Sequence, residues 1–380
     1  MVTSSLFRPL KLGSIALTHR VVMPALTRMR AGQPGNVPTA LNAEYYGQRA
    51  TDGGLIVAES TQISASAQGY PGTPGIHSKE QIEGWSKVTS AVHAAGGSIF
   101  LQLYHVGRVS NSTIQPLIAP SAIAASGDHL TASWTRAPLE TPRALETDEI
   151  AGIVQTFGEA TRNALAAGFD GVEVHAANGY LVEQFLTSRS NHRTDRYGGS
   201  IANRIRFLSE VMVAVTAVAG ADRVGVRLSP FGSFKDVGDD EPVQLYQAAV
   251  SALAQFKPAY LHVIEPRVTG TDDAEGGQAE APSVIELFRP LWQGVLIAAG
   301  GYNPQTAQRI IDAGKADAVA FGRSFVSNPD LVERIRIGAP LSAWNRSTFY
   351  GGSAAGYTDY PRYQALANEA IKAAPQRVVA

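Results

Sequence analysis

At 380 residues with 44% hydrophobic content, the chain can bury the core of one large α/β barrel or of two ordinary domains. A formal net charge of -1 without any Lys/Arg cluster gives no electrostatic reason to bind nucleic acid or an anionic membrane, so a small-molecule partner is expected. Cysteine is absent, which excludes disulfides, thiolate metal sites, Cys-ligated iron–sulfur clusters and a cysteine nucleophile, and leaves any redox chemistry to a cofactor.

The N-terminal MVTSSLFRPLKLGS lacks a charged flank followed by a long apolar core, and no eighteen consecutive residues are apolar. A cytoplasmic chain is expected; monomer and homodimer stay equally open.

Two short strands are expected around Leu6 to Arg8 and Ser14 to Leu17, turning at Gly13, a hairpin able to plug the bottom of a barrel. Arg20 to Met23 then form the first buried strand, ended by Pro24, with the hydroxyl of Thr27 just beyond. Helix Ala40 to Ala50, strand Leu55 to Ala58, helix Lys79 to Ala95 and strand Ser98 to Leu103 follow. The third of these is bounded by a Ser78/Gln81 capping box and a Gly96-Gly97 stop. Residues 104 to about 146 lose the periodicity and read as an insertion.

Thr147, followed by two acids, is expected to cap a helix whose Ile150, Ile153, Val154, Phe157 and Ala164 share one face, leading to strand Gly171 to Val174. Helix Ser200 to Val218, strand Val224 to Leu228, helix Pro242 to Ala254 and strand Tyr260 to Val263 continue the rhythm. Strands Leu296 to Ala298 and Ala318 to Phe321 each precede a helix with a cap-then-proline start, at Asn303-Pro304 and Asn328-Pro329. Eight strand–helix units without a hydrophilic linker predict a single (β/α)8 TIM barrel over residues 1–380, with an N-terminal hairpin and the insertion after the third strand.

In such a barrel the C-terminal strand ends carry the chemistry. Those ends offer Pro24, Ala25 and Thr27; Ala58 and Glu59; Gln102, Tyr104 and His105; His175, Asn178 and Tyr180; Arg227 and Ser229; Glu265 and Arg267; Gly300 and Gly301; Gly322 and Arg323. Paired glycines and a Gly-Arg step at the last two ends point to a phosphate held by backbone N–H groups and a guanidinium; the bland alternative is a tight turn and a surface ion pair. Gln102 and Arg227 lie in apolar strands, where burial costs several kcal/mol unless each is paired, by a ligand or by an interior network.

FDGVEVHAANGY, residues 169–180, is the most informative of these ends. His175 reads equally as a satisfied core histidine and as a donor to substrate, and less well as a metal ligand, because the strand ends hold no His/Asp/Glu cluster. Asn178 can join it if a helical turn starts there, and Tyr180 is either a packed aromatic or a proton donor.

LFRPLKLGSIALTHRVVMPALTR, QLYHVGR, VEVHAANGYLVEQFLTSRSNHRTDRYGGSIANR, AFGRSFVSNPDL and FYGGSAAGYTDYP stand in one order along nearly the whole chain. In these motifs the chain resembles the old yellow enzyme family of FMN-dependent ene-reductases, in its classical branch. The resemblance implies FMN on the barrel mouth, with Pro24, Ala25, Thr27 and Ala58 near its ring and Gln102 and Arg227 on its pyrimidine edge. Gly301, Gly322 and Arg323 would take its phosphate, and Phe349 and Tyr350 would flank it.

It further implies that NADPH, or NADH, reduces the flavin, and that an activated alkene follows on the same face. His175 and Asn178 would hold the alkene's activating oxygen, and Tyr180 would protonate the α-carbon; Tyr70 and Tyr104 would wall the pocket. With an amide at 178, the pH dependence of oxygen binding is expected to come from His175 alone.

Loops 230–241 and 266–281, rich in Gly and Asp, read as lids or as ordinary solvated loops. Other readings are weaker. Larger FMN-linked dehydrogenases or dienoyl-thioester reductases need an iron–sulfur cluster, a non-catalytic carrier needs no proton donor, and an aldolase barrel wants a strand-end lysine or carboxylate base. Many relatives have tryptophan where this chain has Tyr104. Tyr104→Trp is expected to change the enantiomeric excess on a prochiral 2- or 3-substituted enone, measured by chiral chromatography; unchanged excess and kinetics would count against a role in presenting the alkene.

Overall fold

The computed structural model describes residues 4–266 and 281–363. Eight parallel strands close into a barrel: β1 (Val21–Met23), β2 (Leu55–Gln62), β3 (Ser98–Tyr104), β4 (Gly171–Ala176), β5 (Val224–Leu228), β6 (Tyr260–Ile264), β7 (Val295–Ala299) and β8 (Ala318–Ala320). Each pairs with its sequence neighbour, and β8 returns to β1. Barrel strands are covered on both faces, which is why they read as near-continuous apolar runs.

Strand parity sorts the side chains. Val172 and Val174 of β4 point out into the large apolar layer shared with helices such as Glu149–Ala166 and Arg206–Ala219. The interior cluster holds Phe100, Tyr260 and Ile297 at the lower levels of the barrel. Leu12 and Leu17 join that interior cluster, so the hairpin Leu10–Leu12/Ile15–Leu17 does form the barrel floor.

Several expectations are corrected. The first hairpin strand is Leu10–Leu12 and not the stretch around Leu6, which lies in a 3-10 turn, Ser5–Phe7, with its own side chain in the outer layer. β2 runs on to Gln62, with a register shift between Ala58 and Thr61. The helix expected over 200–218 is divided at Ile205 into Ile201–Arg204 and Arg206–Ala219, with the Arg204 side chain bonding the Leu186 carbonyl and Asp239.

Two helix starts also differ. Thr147 does not cap; its hydroxyl bonds Asp195, and the helix begins at Glu149. Asn303 caps Pro304–Asp312 as expected, whereas Asn328 ties Ser324 to Ser342 and the next helix starts only at Leu331. The insertion carries two small two-stranded sheets, Ile118–Ala119 with Arg143–Ala144 and Asp128–Leu130 with Arg136–Pro138.

Among the described residues no helix is long and apolar enough to cross a membrane, and no group of three or more His, Cys, Asp or Glu could hold a metal ion. Phe100 fills the floor against Tyr260, ring centroids 5.7 Å apart. Phe100→Ala is expected to lower stability by about 3–5 kcal/mol through the cavity it leaves, read from the midpoint of denaturant unfolding at unchanged m-value.

Candidate active site

A cavity of about 420 Å³ opens at the C-terminal mouth of the barrel, within the size range of small-molecule and cofactor sites. Its base is the top interior level: register places His175 beside Arg227, and Arg227 beside His262. His175 and Arg227 line the cavity, and His262 lies below it, fully buried.

A polar layer separates this base from the apolar floor. Glu173, two residues before His175 and therefore on the same side of β4, accepts hydrogen bonds from Gln102 Nε2 at 2.6 Å and from His262 Nδ1 at 2.9 Å. Burial would raise the Glu173 carboxyl, but His262, Arg227 and Gln102 outweigh it and hold it down at about 2. Burial lowers the basicity of His262, and because an ionised carboxylate can only accept, its ring donates to Glu173 through Nδ1. Arg227 thus has an acid after all, on the neighbouring strand and remote in sequence.

The other wall of the base is the turn after β4. Asn178, at φ 55°, and Tyr180 join His175 on the cavity lining. Burial, with Arg227 next, lowers His175 to about 3, so its ring is neutral throughout the physiological range and acts as a neutral hydrogen-bonding group. This overturns the expectation that His175 makes oxygen binding pH-dependent. Burial and the neighbouring Tyr70 and Tyr104 raise Tyr180 well above its ordinary value, which keeps its hydroxyl protonated. The Tyr70 hydroxyl stands 3.4 Å away.

Opposite lies bare backbone. Gly300 and Gly301 follow β7 with φ of 110° and 68°, a pair of left-handed residues that brings main chain rather than side chains to the cavity. Gly322 and Arg323 follow β8 on the same wall, the guanidinium lying 5.7 Å from the Trp344 ring. The edge is closed by Phe349 and Tyr350, on a segment whose backbone two arginines hold at Phe349 and around it. Arg28 donates to the carbonyls of Phe349 at 2.9 Å and Gly356 at 2.7 Å, and Arg30 to those of Thr348 at 2.9 Å and Ser353 at 3.0 Å. Tyr357 stacks on Tyr45 behind them at 4.0 Å.

Of the sixteen residues to which the resemblance gives a role, Pro24, Ala25, Thr27, Arg227, Gly301, Gly322, Arg323, Phe349, Tyr350, His175, Asn178 and Tyr180 meet on this one cavity. Four lie off its lining. Ala58 faces the outer layer, before the register shift in β2. Gln102 sits below, bonded to Ser60 and Glu173. Tyr70 stands behind Tyr180. Tyr104 packs edge-on to Tyr180 at 5.3 Å, its hydroxyl oxygen accepting from the Gly69 amide at 3.2 Å.

Ser60, which lines the cavity because β2 runs past Ala58, was not legible in the sequence; Glu173 and His262 were, since strand parity puts them inside the barrel with His175 and Tyr260. The sequence reading missed all three, and also Phe234, on loop 230–241. That loop is fastened rather than loose: Arg108 donates to the Lys235 carbonyl at 2.9 Å and Ser126 to Asp236 at 2.7 Å. The other loop, with Arg267, lies outside the described residues from 267 to 280. The two strand-end acids are structural, Glu59 accepting from the Arg28 amide at 2.9 Å and Glu265 from those of Val284 at 3.1 Å and Ile285 at 3.3 Å.

Arg227 Nε and His175 Nδ1 are enclosed without a hydrogen-bond partner. Such orphaned atoms are costly unless a ligand satisfies them, and a planar group rich in acceptors, anchored by an anionic tail on the glycine wall, fits the residues present.

Fold and cavity together define a (β/α)8-barrel enzyme that works at the C-terminal mouth of its strands. A model of the NADH:flavin oxidoreductase / NADH oxidase family matches residues 5–342. Putative 12-oxophytodienoate reductase 11 of Oryza sativa subsp. japonica is 47% identical over 365 residues, covering 94% of this chain and 98% of its own. Morphinone reductase in complex with tetrahydroNAD superposes with a TM-score of 0.86 at 48% identity, covering 94% of this chain and 97% of that one. The old yellow enzyme homologue from Zymomonas mobilis (NCR) does so at 0.89 and 42%, covering 94% and 99%. The chain belongs to this family, that of the old yellow enzymes, and is a flavin-dependent NAD(P)H oxidoreductase.

Glu173 balances Arg227, so Glu173→Gln is expected to destabilise the protein by about 1–3 kcal/mol, a value reduced because the guanidinium faces the open cavity. Because the folded carboxyl is depressed, this stabilisation is full above its unfolded value and is lost as pH falls toward about 2. Thermal melts of both proteins should therefore differ at pH 7 and converge in acid.

Proposed function

We propose that the protein is an FMN-dependent ene-reductase that uses NADPH or NADH to saturate the C=C bond of α,β-unsaturated carbonyl or nitro compounds. The observation that carries this reading is the convergence of His175, Asn178 and Tyr180 on the cavity that also holds the unpartnered Arg227 Nε. The names of the relatives, reductases of 12-oxophytodienoate and of morphinone, and the tetrahydroNAD bound to the latter, support it.

FMN, when bound, supplies hydride transfer from the nicotinamide to the alkene's β-carbon. Arg227, with the linked pair Ser60 and Gln102, would take its pyrimidine edge; Pro24, Ala25 and Thr27 would lie against the ring, with Ala58 behind, and Thr27 would bond the carbonyl O4. Gly301, Gly322 and Arg323 would hold the phosphate, and Phe349 and Tyr350 would flank the flavin.

The chain's own contribution is electrostatic and protonic. His175 and Asn178 donate to the activating oxygen and stabilise the enolate-like charge that develops there. His175 does so as a neutral ring, which avoids transferring a full proton to the product oxygen. Tyr180 delivers the proton to the α-carbon. Its raised pKa keeps it loaded at working pH, and Tyr70, itself pushed up to about 12 by burial, stands within reach to pass on a replacement.

The purified protein is expected to be yellow, to bleach anaerobically with NADPH and to regain colour with 2-cyclohexenone; a colourless protein that cannot be reconstituted with FMN would sink the reading. His175→Ala should weaken phenol binding and turnover by about 10- to 100-fold, whereas Asn178→His should retain activity. Tyr180→Phe should lower product formation by about 10²- to 10⁴-fold, with bleaching by NADPH preserved.

A further inference from the structure

The turn that carries Asn178 and Tyr180 is left-handed, with Asn178 and Gly179 at φ 55° and 76°. Asn and Gly reach this region at low cost, so what fixes the turn in one conformation is its hydrogen bonding. The surroundings here converge on one side chain outside the reaction. Glu183, in the first turn of helix Leu181–Leu186 and fully buried, accepts the Gly179 amide on Oε2 at 2.6 Å. Its Oε1 accepts the hydroxyls of Ser229 at 2.8 Å and Tyr246 at 2.6 Å. Ser229 Oγ in turn accepts the Asn178 amide at 2.8 Å. One carboxylate therefore holds both left-handed amides, one directly and one through a hydroxyl relay.

We propose that Glu183 is a positioning residue, whose carboxylate holds the 177–180 turn in the conformation that delivers Asn178 and Tyr180 to the cavity and releases that hold on taking up a proton. This rests on the roles given above to Asn178 and Tyr180. The accepting pattern favours the ionised form, since all three donors point at the carboxylate and a proton on Oε2 would weaken its acceptance of the Gly179 amide.

The groups facing it are few. Helix Pro242–Phe256 contributes Tyr246, kept protonated by burial and by Glu183 itself. The end of β5 contributes the Ser229 hydroxyl. Asp239, which acts on Tyr246, is paired with Arg204 at 2.8 Å. Gln184 binds the Gly179 carbonyl at 2.7 Å and is not titratable. Burial raises Glu183 to about 7, against the pull of the three hydrogen bonds, so the hold strengthens as pH rises through neutrality and weakens below it.

The test uses the holoenzyme and reads amide hydrogen exchange in the segment from Ala177 to Tyr180, corrected for intrinsic rates, between pH 6 and 8.5. Wild-type protection at Asn178 and Gly179 should fall by about tenfold on descending through pH 7, with KM for 2-cyclohexenone rising by about tenfold and flavin content unchanged. Glu183→Gln should abolish the pH step. Tyr246→Phe removes a donor that favours the carboxylate and should move the step to higher pH. Ser229→Ala should deprotect Asn178 more than Gly179. Wild-type protection and pH profile in Glu183→Gln would overturn the proposal. If that variant does not fold, an unmoved step in Tyr246→Phe would do so. A protein that binds no flavin would remove the proposed reaction, yet the exchange measurement would still decide what Glu183 holds.

Discussion

A carboxylate and a guanidinium share the interior of this barrel, and the site is built on their balance. Glu173 alone would be driven neutral by burial, and Arg227 alone would be an uncompensated cation among apolar strands. On neighbouring strands they stabilise each other's charge through space, while Gln102 and His262 donate directly to the carboxylate. The result is an interior that is apolar at the hairpin floor, ionic in the middle and open at the top. A ligand at the mouth therefore meets a fixed cation and two unsatisfied nitrogens instead of a hydrocarbon surface.

The same cation explains the chemistry available at the donors. Arg227 stands in register beside His175 and adds to burial in lowering that ring's basicity. A neutral imidazole next to an amide can steady developing charge on an oxygen without giving up its proton, which leaves protonation to Tyr180. Proton donor and oxygen donors thus come from one strand end but hold different electrostatic positions, set by the strand beside them and by the tyrosines behind them.

Much of the barrel was legible because a buried parallel strand has a plain signature, an apolar run bounded by glycine, proline or a cap. β5 fell where its pattern put it, and the caps at Ser78 and Asn303 formed as their side chains dictate. The failures share a cause. Thr147 and Asn328 carried good local signals that were overridden by partners distant in sequence, Asp195 and Ser342. A hydroxyl or amide bonds whichever acceptor the fold brings nearest, and local sequence does not contain that information.

The site divides in the same way. The sequence by itself determined which residues end the strands, and so which side chains could meet at the barrel mouth, because parity and strand ends follow from local pattern. Only the tertiary structure decided what those side chains are. It supplied Arg227 with its acid, turned His175 from a titrating group into a neutral one, set Tyr104 edge-on to Tyr180 off the cavity lining, and tied the Phe349 backbone to Arg28 and Arg30. Protonation, hydrogen-bond supply and line of sight depend on distances between strands and loops, and those distances exist only once the barrel has closed.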